Sequence, residues 1–169
     1  EYTVNNRTVQ IAVIDRSGEM ITSTAMLRPT KRVDLSDREH FKVHVGTTRD
    51  QLFISRPLLG RASNKWSVQF TRPFRRVDGT FGGVIVASLD PDALVSNYGN
   101  LRAFTRGSFL LLGSDDIVRA SAGDSRYQIG SSYREGERDL ITIPTGDGTT
   151  VFRSNWEGET RIVGARRVG

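Results

Sequence analysis

No cysteine occurs among the 169 residues, so disulfides and thiolate metal sites are excluded. That absence leaves the compartment open, because extracytoplasmic domains also do without disulfides. Long hydrophobic runs are missing too. The best candidate, residues 81–89, has about half of the ~20 apolar residues a bilayer span needs, and it contains Gly82 and Gly83. No Gly-x-Ser-x-Gly elbow and no His-Glu-x-x-His pair is present. The glycine-rich stretch at 79–83 lacks the lysine of a phosphate loop and leads into a strand pattern, not a helix. The common hydrolase and nucleotide signatures are therefore absent.

Lysine is scarce. Lys31, Lys42 and Lys65 are the only three, so arginine supplies nearly all of the positive charge behind a net +5 and a pI near 10.1. Guanidinium groups pair with carboxylates and phosphates, which points to an anionic partner. A nucleic-acid surface would concentrate basic residues among exposed aromatics; here arginines are scattered with acids between them, as at 134–139, and no nucleic-acid partner is expected. A hydrophobic fraction of 37% and a mean hydropathy of −0.37 describe a globular chain large enough for one domain or two small lobes.

The pattern is dominated by hairpins. Residues 8–15 alternate and are β-branched, Asp15-Arg16-Ser17-Gly18 reads as a turn, and 19–24 reads as a returning strand. The same design recurs at 108–112, Gly113-Ser114-Asp115-Asp116 and 117–122. A later pair matches as well: Val77-Asp78-Gly79 turns into 83–89, and Trp156-Glu157-Gly158 turns into 160–165. Two units with hairpins in the same order point to an internal duplication. Between them, Asp90-Pro91 places an acid at an N-cap and proline at the first helical position, which predicts a linker helix over 90–102 with Leu94 and Tyr98 on one stripe. A shorter helix through Val43, capped by Ser36 or Asp37, is expected earlier. The polar loop, mixed strands and buried strand of 33–94 are the pattern of a half-barrel sheet with a small-molecule pocket on one face.

Several motifs carry a family resemblance. They are Val13-Ile14-Asp15-Arg16-Ser17-Gly18, Ser36-Asp37-Arg38-Glu39-His40-Phe41, Ser55-Arg56-Pro57, Asp78-Gly79-Thr80-Phe81-Gly82-Gly83 and Leu89-Asp90. Together they resemble the double-Cache (PAS-like) extracytoplasmic sensor domains of bacterial diguanylate cyclases and histidine kinases. The resemblance implies an α+β fold with tandem PAS-like (Cache) lobes, each an antiparallel sheet flanked by helices. Residues 1–104 would form the membrane-distal sensing lobe with its linker helix, and 105–169 the smaller proximal lobe. It implies a periplasmic, non-enzymatic sensor of a small polar or anionic organic ligand, with no cofactor. The parent would be anchored in the inner membrane by flanking segments and would act as a homodimer. The chain starts without methionine and ends in a strand-like run, which reads as a segment of such a longer protein. The long dimerising helix at the start of the family pattern is reduced here to 1–6 at most. The amino-acid-binding subfamily carries a tyrosine- and tryptophan-rich cluster, whereas this chain has His40 where tyrosine is common, which argues against an amino-acid ligand.

The segments matching the family's pocket supply Arg38, His40, Arg56, Trp66, Gln69, Arg72, Ser88 and Asp90 as candidate ligand-binding residues. An arginine would fork a carboxylate, Trp66 would form an apolar wall, and Asp90 would accept from an amine or hydroxyl. The same residues have simpler readings: Asp90 as a helix cap, Trp66 as a core aromatic, and Asp37 with Arg38 as a brace for the loop. Strand alternation places Trp66, Val68, Phe70 and Arg72 on one face and Ser67, Gln69 and Thr71 on the other, so the Trp66 and Gln69 sets cannot share a pocket without a bulge. The rival chemistry is a metal-dependent hydrolase built on Asp37, His40 and His44, whose spacing would align them along a helix. A third reading is an interaction module without a small ligand.

Overall fold

The computed structural model describes residues 8–25, 27, 29, 31–99, 107–123, 125, 127–133, 148–153 and 160–166. The chain divides into two compact units, Glu1–Tyr133 and Arg134–Gly169.

The first unit is organised by one antiparallel sheet. Its strands are β1 (Thr8–Asp15), β2 (Met20–Ser23), β3 (Phe53–Ile54), β4 (Leu58–Leu59), β5 (Trp66–Arg75) and β6 (Phe81–Leu89). Their order is β2-β1-β6-β5-β3, with β4 also pairing β5. Hairpins account for β1–β2 and β5–β6, but β1 pairs with β6 only through the tertiary fold. β5 tolerates Pro73 because β3 covers only Phe70 and Thr71, leaving β5 at the sheet edge beyond them.

Alternation decides the faces. Ala12 and Ile14 of β1 and Val84 and Val86 of β6 point inward and join Met20, Leu35 and Phe41 in the core. Phe41 meets Phe81 edge to face, with centroids 6.0 Å apart. Gly83 has φ of +146°, and a Cβ there would collide with the Ile14 carbonyl, so the β1–β6 approach requires glycine.

The short helix α1 (Glu39–Lys42) differs from expectation. Its N-cap is Arg38, with no side-chain cap. Asp37 is instead held by both terminal nitrogens of Arg61, at 2.9 and 2.8 Å. The acid that organises the preceding turn is Asp34, which accepts from the Ser36 N–H at 2.9 Å. The second helix, α2 (Pro91–Gly99), starts where the capping pattern places it, with Asp90 Oδ1 accepting from the Asp92 N–H at 2.9 Å. Its buried residues include Pro91 and Val95, with Leu94 half-buried. The Tyr98 side chain and residues 100–106, where the helix end and the lobe boundary were expected, lie outside the described residues.

After α2 comes the hairpin β7 (Ser108–Leu112) and β8 (Val118–Gly123), which contacts α2. It repeats the first hairpin bond for bond. Asp15 N–H donates to Glu19 O, Gly18 N–H to Asp15 O and Met20 N–H to Val33 O. The same three bonds recur as Gly113 to Ile117, Asp116 to Gly113 and Val118 to Ser131. The returning segments form equivalent bridges, Glu19 with Asp34 and Ile117 with Ser132. Register shifts fall at Val13/Ile14 and Leu111/Leu112. Even the left-handed turn position is shared: Gly18 has φ of +90° and Asp116 +60°. Each equivalent pair is separated by the same distance in sequence, although the side chains have little in common.

The second unit contains an antiparallel pair, β9 (Gly148–Arg153) and β10 (Thr160–Ala165), in continuous register from Gly148↔Ala165 to Arg153↔Thr160. The 156–158 turn, the 1–6 segment and the charge-rich 134–139 stretch lie outside the described residues.

Candidate functional site

Alternation along three neighbouring strands places one polar row on the inner face of the sheet. Gln10 of β1 sits opposite Ser88 of β6, and Ser88 opposite Gln69 of β5. All three are buried. The next row inward is Ala12, Val86 and Thr71. The sheet therefore changes from apolar to polar within one pleat, at the place where a cleft opens above it.

Two segments complete the cleft. Leu35 and Arg38 come from the loop entering α1 and His40 from α1 itself, while Leu58 comes from β4 and Gly60, Arg61, Ala62 and Ser63 from the β4–β5 connection. The cavity volume is about 40 Å³, room for about one or two waters. Its floor is Ala12, Ile14, Met20 and Val86. The cleft as it stands is narrow, and a larger ligand requires its walls to move apart.

The polar groups fall into two sets. Gln69 is fully engaged: Ser88 Oγ donates to its Oε1 at 2.5 Å, and its Nε2 donates to Ser67 Oγ at 2.8 Å. Its backbone N–H donates to Ser55 Oγ at 2.9 Å. Arg61 is likewise committed, to Asp37 and to the Asp34 carbonyl. By contrast, Arg38 Nε and His40 Nδ1 are buried without a partner among the described residues. His40 is only 4% exposed. Burial, then the neighbouring Arg38 charge, pushes its pKa from the usual 6.5 to about 4, so it is neutral at pH 7. Among the described residues, none that lines the cleft carries a carboxylate.

Of the eight residues singled out in the sequence, Arg38, His40, Gln69 and Ser88 line this cleft. The other four lie elsewhere. Trp66 is 61% exposed on the opposite face of β5. Arg72 shares that face and forks Asp50 at 2.6 and 2.9 Å, with both side chains exposed. Arg56 donates to Asp115 at 2.8 Å, and Asp90 caps α2. The Gln69 set of β5 is thus the one that faces the cleft. Sequence reasoning missed Gln10, Met20, Arg61 and Ser63. Gln10 had a signal, being a polar residue in phase with Ala12 and Ile14; the others become neighbours only through the tertiary fold.

The metal reading loses its geometry. α1 is a single turn, so Asp37, His40 and His44 do not align along one helix face. Asp37 pairs with Arg61, while His44 Nε2 lies 2.9 Å from Thr71 Oγ1 and outside the cleft. Among the described residues, no group of three His, Cys, Asp or Glu comes together as metal ligands do. No helix among them is long and apolar enough to cross a membrane.

No family model and no curated protein matches the sequence. Solved structures do match. One is the extracellular domain of rpHK1S-Z16, a protein assigned as a histidine kinase, with a TM-score of 0.77 at 24% identity over 96% of this chain and 66% of that one. A second is the ligand-binding domain of the Pseudomonas aeruginosa PAO1 amino-acid chemoreceptor PctC in complex with GABA, with a TM-score of 0.65, 15% identity, and 96% and 68% coverage. A third is the ligand-binding domain of the Pseudomonas fluorescens chemoreceptor CtaA in complex with L-alanine, with a TM-score of 0.64, 16% identity, and 96% and 66% coverage. The chain spans about two thirds of the length of each. The chain shares the fold of these extracellular and ligand-binding receptor domains.

Proposed function

We propose that this chain is the extracytoplasmic ligand-sensing region of a bacterial membrane signalling protein, and that it is not itself an enzyme. The observation that carries the reading is that two of the three buried side-chain nitrogens without a partner among the described residues, Arg38 Nε and His40 Nδ1, belong to one cleft, the third being Arg119 Nε in the second hairpin. Buried polar atoms are nearly always hydrogen-bonded, and two orphans in one place are accounted for by a ligand that engages them. The fold, shared with ligand-binding domains of receptors, agrees with that account.

The finer organisation follows the same reading. The repeated hairpin supports two lobes of common origin, with residues 1–104 as the sensing lobe and 105–169 as the membrane-proximal one. In the full protein, flanking segments would anchor the chain in the inner membrane, two copies would associate, and the output would be a diguanylate cyclase or histidine kinase. A signal could leave the cleft through Gln69, whose N–H is held by Ser55 Oγ. Ser55 Oγ in turn donates to the Arg56 carbonyl, and the Arg56 side chain holds Asp115 at the tip of the second hairpin. A ligand drives such a shift only by binding the two states unequally.

One observation favours a second reading, an interaction module without a small ligand: the cavity of about 40 Å³ is far below the ~300 Å³ of ordinary ligand sites. Thermal-shift screening of the purified domain against carboxylates, amino acids, polyamines, nucleobases and divalent metals separates the two. Binding to the folded state raises apparent stability with ligand concentration. A dose-dependent shift with one organic class, lost on Arg38→Ala, is expected. No shift with any class would favour the interaction module.

A further inference from the structure

Resting on the sensor reading, we infer that the ligand is a small organic anion without an ammonium group, a short-chain carboxylate whose head group is bound by Arg38. Three observations converge on that class. Among the described residues the cleft is lined by two arginines and no acid, so a ligand cation would meet neutral acceptors and one uncompensated guanidinium. Of the two arginines, Arg61 is already forked by Asp37 and bonded to the Asp34 carbonyl, whereas Arg38 makes no ion pair with any described residue and has a buried, unpartnered Nε. The neutral His40 ring stands beside Arg38 with an unpartnered Nδ1 and can donate to the same anion without competing for it as a second fixed charge.

The rest of the lining sets the shape. Ala12, Ile14, Met20 and Val86 form an apolar floor directly next to the polar row. A ligand with a carboxylate at one end and a few aliphatic carbons at the other matches that division. The small cavity volume limits the chain length; one wall, residues 58–63, is tied to β5 by β4 through two residue pairs. Gln69 and Ser88 satisfy each other and hold the polar end of the floor in place.

The test is calorimetric titration of the purified protein at pH 7 with propionate, butyrate and lactate, against L-alanine and L-2-aminobutyrate, which add an ammonium group to the same carboxylates, and propylamine, which carries the amine alone. The carboxylates are expected to bind and the amine-bearing analogues to bind at least about tenfold more weakly. Arg38→Ala should remove the binding. Gln10→Glu, an isosteric change that places an acid in the cleft, should weaken it at least about tenfold through like-charge repulsion, and it keeps the test sharp should Arg38→Ala fail to fold. Equal or tighter binding of an amino acid, an amine or a nucleobase, still sensitive to the cleft variants, would overturn the ligand class and leave the sensor reading standing. Carboxylate binding that ignores both variants would overturn the assignment to this cleft. Absence of binding across every class would overturn the sensor reading itself.

Discussion

Gln69 and Ser88 face each other across β5 and β6, and the Ser88 hydroxyl donates to the Gln69 amide oxygen at 2.5 Å with both residues buried. The bond fixes the polar end of the inner sheet face, on which the cleft is built. Ser88→Ala leaves a buried amide oxygen without its donor and should cost about 1–3 kcal/mol. Gln69→Leu removes the amide and leaves the Ser88 hydroxyl without its acceptor, while Ser67 loses a donor but keeps its own donation to the Lys65 carbonyl. The double variant should therefore cost less than the sum of the two, by at least about 0.5 kcal/mol. Urea denaturation of the four proteins measures this; strict additivity would show that the pair does not act as a unit.

The histidines predict an acid-side loss of stability. His40 has a folded-state pKa near 4 against 6.5 when exposed, and His44 is also lowered by burial. Between those values the unfolded chain binds protons that the folded chain does not, so stability falls as pH drops from about 6.5 to 4 and His40 adds no further loss below that. For His40 alone the full effect is about 3 kcal/mol. His40→Gln should flatten the slope in that window while leaving the steeper carboxylate-driven loss below pH 4. An unchanged slope would place the His40 proton elsewhere.

Gly18 and Asp116 occupy the same left-handed position in the two hairpins but are not interchangeable. A Cβ on Gly18 would lie 2.5 Å from the Ser36 Cα, in the segment that returns to carry Arg38. Gly18→Ala should cost about 2 kcal/mol or more, from both the backbone and the clash. Asp116→Gly should cost less than Gly18→Ala, since glycine accepts that φ freely. Thermal unfolding compares the two; similar penalties would contradict the repeat.

Asp115 joins two arginines, Arg56 at 2.8 Å and Arg119 at 2.9 Å. The Arg119 side chain is only 7% exposed. Removing the acid leaves that guanidinium with a carbonyl contact to Ile117 but no counter-ion among the described residues. Asp115→Asn should cost about 1–3 kcal/mol and speed hydrogen exchange in residues 107–123 more than in β1 or β6. Uniform acceleration across both hairpins would mean that Asp115 acts on the whole unit and not on the second hairpin.

Local chemistry alone reveals much of this protein. The hairpins β1–β2 and β7–β8, the strand β6 and the start of α2 follow from alternation, turn residues and the Asp90-Pro91 cap, which all act over a few neighbours. The likeness of the two hairpins was legible too, because a turn is written in adjacent residues. Arg38, His40, Gln69 and Ser88 could be picked out as polar residues in segments that otherwise bury apolar ones.

The remainder depends on contacts between distant parts of the chain. β3 and β4 are two residues each and exist only because β5 offers an edge to pair with. Asp37 looked like a helix cap until Arg61, 24 residues away, took its carboxylate. Trp66 and Arg72 carried the more conspicuous side chains of β5, but the sheet turns the Gln69 face inward because that is the phase in which Ser67 and Thr71 can be buried and bonded. Strand phase is a local property, whereas the choice of which phase meets the core is made by the β1–β6 and β5–β6 pairings together, which bring Gln10, Ser88 and Gln69 into one row beneath Arg38 and His40.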